Sequence, residues 1–281
     1  MDVSIVIPNL NGASVLPATL DAVAAGSGLL AYEIILVDNA STDDSVAWVR
    51  ENHPSVTVLQ NAENLGFAAA CNRGGRHGTG RYVLLLNSDL TLLPGALEQV
   101  VTTMDGHHGL GALSPLMQWP DGRVQGPPMP AWRRRRARPV PMSWLPGTCL
   151  LLRREALDRI DWLDEAFFFY NEDIDLSWRL RKAGYGLACA TRIHVRHHEG
   201  VATRSDPAVL ARAIREGYAG SVLLARKHHP WAVGLVRLGV SIEVAWRSAQ
   251  VRRRLAAGQP PSPREQALLA VAPEVLALMR S

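Results

Sequence analysis

The sequence predicts an α/β fold: a mostly parallel central sheet flanked by helices, followed by a C-terminal helical extension. Three observations lead there. Short apolar, β-branched runs alternate with helical stretches through the first ninety residues or so. Several of these runs end in polar residues, at Asn9 and Asn11, at Asp38 and Asn39, and at Asn87 and Asp89. From about residue 206 the chain reads as helical throughout, with arginine scattered among apolar positions.

"VSIVIP" (3–8) is a continuous β-branched run stopped by Pro8, as expected of a strand buried on both faces. "ASVLPATLDAVAAG" (13–26) has helical spacing and ends near Gly26. "EIILVDNAS" (33–41) is a second buried strand. "STDDSVAWVREN" (41–52) opens with cap-type residues and continues as a helix. "SVTVLQN" (55–61) is a third strand, "GFAAACNRGGRH" (66–77) a small-residue helix and "RYVLLLNSDL" (81–90) a fourth strand. "GALSPLMQWPDGRV" reads as a strand with a Pro-Asp-Gly turn, and "QGPPMPAWRRRRARPVPM" (125–142) as a loop without periodicity. A strand and helix resume at 144–157. Residues 171–184 form a helix with acids at its start, Lys182 in its last turn and Gly184 as its stop. Residues 186–200 are a strand leading to a histidine-rich turn.

Composition narrows the class. The chain of 281 residues suits one large α/β domain or a domain with an appendage, and 47% hydrophobic content allows a sizeable core. A formal charge of +4 does not mark a nucleic-acid binder. Cys71, Cys149 and Cys189 are odd in number and far apart, which excludes a C-x-x-C zinc pair and a disulfide framework. A reducing compartment follows. No targeting signal precedes "VSIVIP", and no run of about 18 uncharged apolar residues suggests a membrane span. The expectation is a cytoplasmic protein, still able to lie on a membrane.

In open α/β sheets ligands bind at the carboxyl ends of strands, so three polar strand ends in register imply one shared site. In "LLLNSDL" (84–90) a carboxylate ends a buried strand, with a second oxygen ligand two residues earlier. That pattern suits Mg²⁺ or Mn²⁺, which take one or two carboxylates plus phosphate oxygens. An Asx turn is the plainer reading of the same residues. "VDNASTDDS" (37–45) reads equally as ligand binding or as helix capping. His194, His197 and His198 are potential metal ligands or solvated side chains, and H-E-x-x-H is absent. "WRRRRAR" (132–138) fits a solvated, flexible arm better than a recognition helix. "NRGGRHGTG" (72–80) matches neither a Walker nor a G-x-G-x-x-G motif. "FYNEDIDLSWRL" (169–180) sets Glu172, Asp173 and Asp175 behind an aromatic run. Capping explains part of that, and catalysis is the alternative.

Taken in order, "VSIVIPNLNG", "ILVDNASTDDS", "NAENLGFAAACNRG", "YVLLLNSDL", "PGTCLLLRREAL", "LDEAFFFYNEDIDLSWRLRKAGY" and "HVRHHEG" resemble the inverting nucleotide-sugar glycosyltransferases of family 2, closest to the rhamnosyltransferase-like branch. They span roughly residues 3–200. The resemblance implies a GT-A fold over residues 1–205, with a nucleotide-sugar-binding half at 1–110, an acceptor-binding half at 111–205 and a helical extension at 206–281. It implies that Pro8, Asn9, Asn11, Asp38 and Asn39 line the base and ribose pocket. Asn64, Gly66, Phe67 and Asn72 would shape the donor site. Asn87-Ser88-Asp89 occupies the family's D-x-D position, His197 completes the metal site with His198 as substitute, and Asp173 is the general base beside Glu172. Gly147, Thr148 and Tyr170 fall on the acceptor side. The family's first D-x-D acid is Asn87 here, a weaker cation ligand, so Asp89 must supply most of the charge.

The implied reaction is attack of an acceptor hydroxyl, deprotonated by Asp173, on the anomeric carbon in line with the departing nucleotide diphosphate. The favoured donor is dTDP-rhamnose, the acceptor a glycan or lipid-linked glycan, and the cofactor Mg²⁺ or Mn²⁺. No nucleic-acid partner is expected. The Arg-rich loop and the helices at 223–254 suit an anionic lipid surface or an acceptor diphosphate, and equally well packing against the catalytic domain or a second subunit. The expected place of action is the cytoplasmic membrane face. Two rival functions remain: a nucleotidyltransferase, disfavoured because "IPNLNGASVLP" lacks lysine, and a non-catalytic relative, favoured only by Asn87.

Overall fold

The computed structural model describes residues 1–119, 121–125, 129–197 and 207–280. Contacts divide the chain into two units: Met1–Glu165 with Glu172–Val201, and Ala166–Asn171 with Ala202–Ser281. The boundary drawn from sequence at 205/206 falls four residues after this one, and Ala166–Asn171 groups with the second unit.

In the first unit the elements follow the alternation seen in the sequence. They run β1 (Val3–Asn9), α1 (Leu16–Gly26), β2 (Tyr32–Asp38), α2 (Ser45–Asn52), β3 (Thr57–Gln60), α3 (Phe67–His77) and β4 (Tyr82–Leu86). The order β3-β2-β1-β4 is parallel throughout. Both faces of these strands are covered. Val3, Ile5 and Ile7 pack on one side with α1 residues Leu16, Leu20 and Val23. Val6, Ile35 and Val37 pack on the other with Ala68, Ala70 and Cys71 of α3. Two-sided burial is why these strands read as continuous apolar runs rather than alternating ones.

Beyond β4 the sheet becomes mixed. The run read as one strand over 81–90 is broken at Asn87–Asp89. β5 (Leu90–Leu92) leaves β4 and pairs antiparallel with β9 (Gly186–His197). A helix absent from the sequence reading, α4 (Ala96–Asp105), follows and covers the α1 side of the sheet through Leu97, Val100, Val101 and Met104. β6 (Leu110–Gln118) pairs parallel with β9, and β8 (Cys149–Arg153) enters antiparallel between β4 and β6. The stretch expected to be irregular holds a four-residue helix, α5 (Ala131–Arg134), and a short strand, β7 (Val140–Pro141), paired with β9. α6 (Arg154–Ile160) and α7 (Glu172–Lys182) complete the α3 side.

The second unit contains α8 (Pro207–His228), a 3₁₀ turn (Pro230–Ala232), α9 (Val233–Ala256) and α10 (Pro263–Arg280). Its own small core gathers Val222, Val240, Val244, Val271, Val275 and Met279. Ala166–Asn171 is held within this unit. The Arg212 guanidinium stacks 3.8 Å from the Phe168 ring centroid, and Asn171 Nδ2 donates to the Gly217 carbonyl at 2.9 Å. Tyr170 and Asn171 both lie in the left-handed region, with φ of 67° and 70°, a conformation unfavourable for side-chain-bearing residues. Among the described residues no helix is long and apolar enough to cross a membrane.

Candidate active site

β2, β1 and β4 are neighbours, and Asn9 stands opposite Asp38 in the register, so the three polar strand ends lie side by side. Their side chains divide into buried supports and a partly exposed rim. Asn9 is buried, and its Nδ2 lies within hydrogen-bonding distance of Asp38 Oδ1, Ser41 Oγ and Ser45 Oγ, at 3.0, 3.1 and 3.0 Å. Asp38 is fully buried and also accepts from the Ser41 amide. Asn39 donates to the Gly66 carbonyl at 3.1 Å and accepts from Asn61 Nδ2 at 2.6 Å. Asn61 in turn accepts from the Arg73 guanidinium. These groups therefore fix the loops that follow β1 and β2. Pro8 and Asn11 stand partly exposed there, with Asn11 Oδ1 accepting the Thr42 amide at 2.8 Å.

At the start of α3, Gly66 has φ 90°, which glycine adopts without a Cβ penalty, and its amide is held by Asn64 Oδ1 at 3.0 Å. That turn presents Phe67 at the first helical position, partly exposed. Asn72 is buried one turn on, with both ends of its amide engaged: Nδ2 donates to the Leu163 carbonyl and Glu165 Oε1, and Oδ1 accepts the Leu163 amide.

The break between β4 and β5 sets Asp89 beside the end of β9, because Leu90 pairs with His197. His197 Nε2 lies 3.2 Å from Asp89 Oδ1, and both side chains are buried. His197 Nδ1 donates to Gln125 Oε1 at 2.7 Å, and the Trp119 ring stacks on the imidazole at a 12° interplanar angle. Nε2 is the nitrogen turned toward the carboxylate, and it makes no hydrogen bond. An imidazole nitrogen and a carboxylate oxygen so placed are of the types a divalent cation takes, and Asn87 lies two residues before Asp89 in sequence. Among the described residues no group of three or more His, Cys, Asp or Glu side chains gathers, so a cation would need further oxygens from a ligand or water. Ser88 is buried and its carbonyl accepts from Thr19 Oγ1 at 2.6 Å. His198 lies outside the described residues. Sequence reasoning missed Gln125 and Trp119. The Pro-Asp-Gly signal in the sequence points to a chain reversal here, and Val124 does pair with Gln118 while the Gln125 amide donates to the Met117 carbonyl.

The third part of the site opens α7. Asp173 Oδ2 accepts the Gly147 amide at 3.3 Å, and Oδ1 accepts the Ile174 amide at 2.8 Å. Burial pushes the Asp173 carboxyl above its usual range, while those two amides pull the other way. Glu172 is buried more deeply, with Oε2 unpaired; burial, followed by the neighbouring Asp173 charge, lifts its pKa to about 8. Asp175 is a structural acid, fully buried and 2.6 Å from Arg179 Nε. Gly147 lies close to both Phe67 and Asp173: a Cβ there would lie 3.4 Å from the Phe67 ring and 3.6 Å from Asp173 Cβ. The Thr148 carbonyl accepts the Asn87 amide at 2.9 Å, tying this loop to the end of β4. Tyr170 belongs to the C-terminal unit, where its ring meets Phe169 edge-on.

A sheet of this order, with its polar side chains gathered at those strand ends, is the framework of a glycosyltransferase. The chain belongs to glycosyl transferase family 2, whose sequence profile matches residues 4–161. It is 31% identical over 253 residues to the N-acetylglucosaminyl-diphospho-decaprenol L-rhamnosyltransferase of Mycobacterium tuberculosis (strain ATCC 25618 / H37Rv), covering 76% of this chain and 81% of that protein. It is 25% identical to the O-antigen biosynthesis protein RfbC of Myxococcus xanthus, over 73% of this chain and 18% of that one. Among solved structures, S. aureus TarS 1-349 in complex with UDP superposes with a TM-score of 0.61 at 18% identity, over 100% of this chain and 89% of that one. GalNAc-T7 with UDP, GalNAc and Mn2+ gives 0.60 at 17% identity, over 77% and 47%. The architecture is the GT-A fold.

Proposed function

We propose that this glycosyltransferase inverts the anomeric centre of a nucleoside-diphosphate sugar, dTDP-rhamnose being the favoured donor, and acts on a hydroxyl of a lipid-linked glycan in cell-surface polysaccharide assembly. The observation that carries the reading is the Asp173 carboxylate, held by the Gly147 and Ile174 amides, with its pKa raised by burial. A carboxylate so placed has one oxygen edge fixed and a basicity above the ordinary range, as a general base requires. The similarity to a rhamnosyltransferase whose name specifies a lipid-linked N-acetylglucosaminyl acceptor supports the choice of sugar and acceptor class.

In this reading Pro8, Asn11 and Asn64 contact the nucleotide, while Asn9, Asp38, Asn39 and Asn72 hold the loops that shape its pocket. Asp89 and His197, with Asn87, hold Mg²⁺ or Mn²⁺. Such a cation, when bound, offsets the charge that grows on the leaving diphosphate. Asp173 takes the proton from the acceptor hydroxyl as it attacks from the face opposite the diphosphate. Buried Glu172, proton-bearing at neutral pH, adds no second charge beside the base. Gly147 lets its backbone amide approach Asp173 beside Phe67, where a larger side chain would be in contact with both, and Thr148 follows it on the acceptor side. Tyr170 is assigned to acceptor contact. A nucleotide sugar and a lipid-linked acceptor would meet at the cytoplasmic membrane face, which the reading assigns as the place of action.

Calorimetry with dTDP-, UDP- and GDP-sugars, with and without Mn²⁺, tests the donor. Binding to none of them would sink the proposal. Asp173→Asn is expected to keep donor affinity while transfer to a polyprenyl-diphosphate-linked acceptor falls by about 10²–10⁴. Transfer at the wild-type rate would remove Asp173 from the mechanism.

A further inference from the structure

α9 has two apolar lines on opposite sides. One is spent inside the molecule: Val240, Val244, Ser248 and Val251 are buried, the two upstream valines in the helical core with α10. The other is Leu235, Leu238, Ile242 and Trp246, which are 64, 58, 60 and 59% exposed. Spaced by three, four and four residues, they fall within an arc of about 80° at 100° per residue. Trp231, 78% exposed in the turn just ahead, extends the line. Small residues, Gly234, Gly239, Ala245 and Ala249, are exposed around it, so the face has low relief.

The charges are distributed to match. Arg226 and Lys227 are exposed just before Trp231, and Arg252 and Arg253 are exposed after Trp246, while Arg254 is paired with Glu265 at 2.6 Å. The one acid of α9, Glu243, is neutralised by Arg247 at 2.9 Å. The face is thus an apolar stripe with tryptophan at both ends and cations beyond each. Tryptophan prefers the headgroup level of a bilayer, and exposed Lys and Arg gain about 1 kcal/mol each at an anionic surface. A second copy of the chain is the poorer occupant. In either parallel or antiparallel pairing of two such helices, one cationic end would meet another.

We propose that this face of α9 docks in the plane of an anionic lipid surface, apolar side chains down and the arginine ends in the headgroups. The inference deepens the reading of a lipid-linked acceptor, on which it rests for its purpose, by naming the surface that would keep the enzyme beside it.

Flotation of the full chain with extruded vesicles of phosphatidylcholine, alone or mixed with phosphatidylglycerol, provides the test. Wild type is expected to float with the mixed vesicles, weakly with phosphatidylcholine alone, and less at high salt. Leu238→Glu/Ile242→Glu should lower binding by about tenfold or more. Arg252→Glu/Arg253→Glu should lower it on anionic vesicles only. Leu238→Ser/Ile242→Ser serves as the milder pair, and circular dichroism melts establish that each variant is folded. The proposal is overturned if wild type fails to float with anionic vesicles, or if both pairs at 238 and 242 float as wild type does. It is also overturned if light scattering finds a dimer that the glutamate pair converts to monomer while vesicle binding is absent. Donor calorimetry on the same samples keeps the two readings apart: an absent donor signal counts against the transferase assignment and leaves the flotation result standing.

Discussion

Glu172 and Asp173 share the first turn of α7 but titrate under different constraints. Glu172 has no hydrogen bond at Oε2 and a pKa near 8, against 4.5 for the ordinary side chain. Between those values the folded protein holds a proton that the unfolded chain releases. Stability from this group is therefore intact at acid pH and is lost as pH rises through about 8. Glu172→Gln cannot ionise, so its melting temperature should exceed that of wild type by about 5 °C or more at the alkaline end and converge with it near pH 5. Calorimetric melts across that range check this. At the proposed metal site, Gln125 Oε1 holds His197 Nδ1 at 2.7 Å and so orients the ring. Gln125→Leu should weaken Mn²⁺-dependent donor binding by about 10- to 100-fold, with binding measured in EDTA unchanged.

Secondary elements were legible in the sequence where local chemistry decides them. The strands β1, β2 and β4 stop at polar residues because the buried sheet ends there and the side chains must find hydrogen bonds, as Asn9 and Asn39 do. β5 was not legible. Three residues, Leu90–Leu92, carry no pattern of their own and become a strand only by pairing with β9, a hundred positions away. For the same reason Asp89 could be read as a ligand from its strand, whereas His197 was one of three histidines in its turn that only the family resemblance singled out, and Gln125 was not found. The polar residues at Asn39, Asp38 and Asn72 were visible as site candidates, but their burial was not, since it depends on what packs over them. Helix α3 shows how tightly that packing is drawn. A Cβ at Gly74 would lie 2.5 Å from Val6 Cγ1 and 2.8 Å from Val37 Cγ2. Gly74→Ala should cost about 1–3 kcal/mol through forced separation of α3 from β1 and β2, read as a lowered urea midpoint.

At the scale of the molecule, a sheet-based unit carries the proposed chemistry and a helical unit carries the exposed stripe of α9. With a lipid-embedded acceptor, adding anionic lipid should raise kcat/KM by about tenfold, because the docked enzyme searches a surface rather than a volume. A water-soluble acceptor analogue should be used at a rate that the same lipid leaves unchanged. The ratio of the two, measured over a series of lipid compositions, isolates the contribution of docking from that of the pocket.

The late entry of β8 and β9 into the sheet also sets a clock. The parallel block β3-β2-β1-β4 is complete by residue 86, so the nucleotide end has its strands early in synthesis. The partner that faces Asp89 arrives only with His197. At about 5–20 residues per second, a ribosome needs roughly 5 to 20 s to bridge that gap. A nascent chain thus passes through a period in which Asp89 has no imidazole opposite it and β4 has a bare edge where β8 will insert. That exposed edge is the point at which two unfinished chains would pair by mistake.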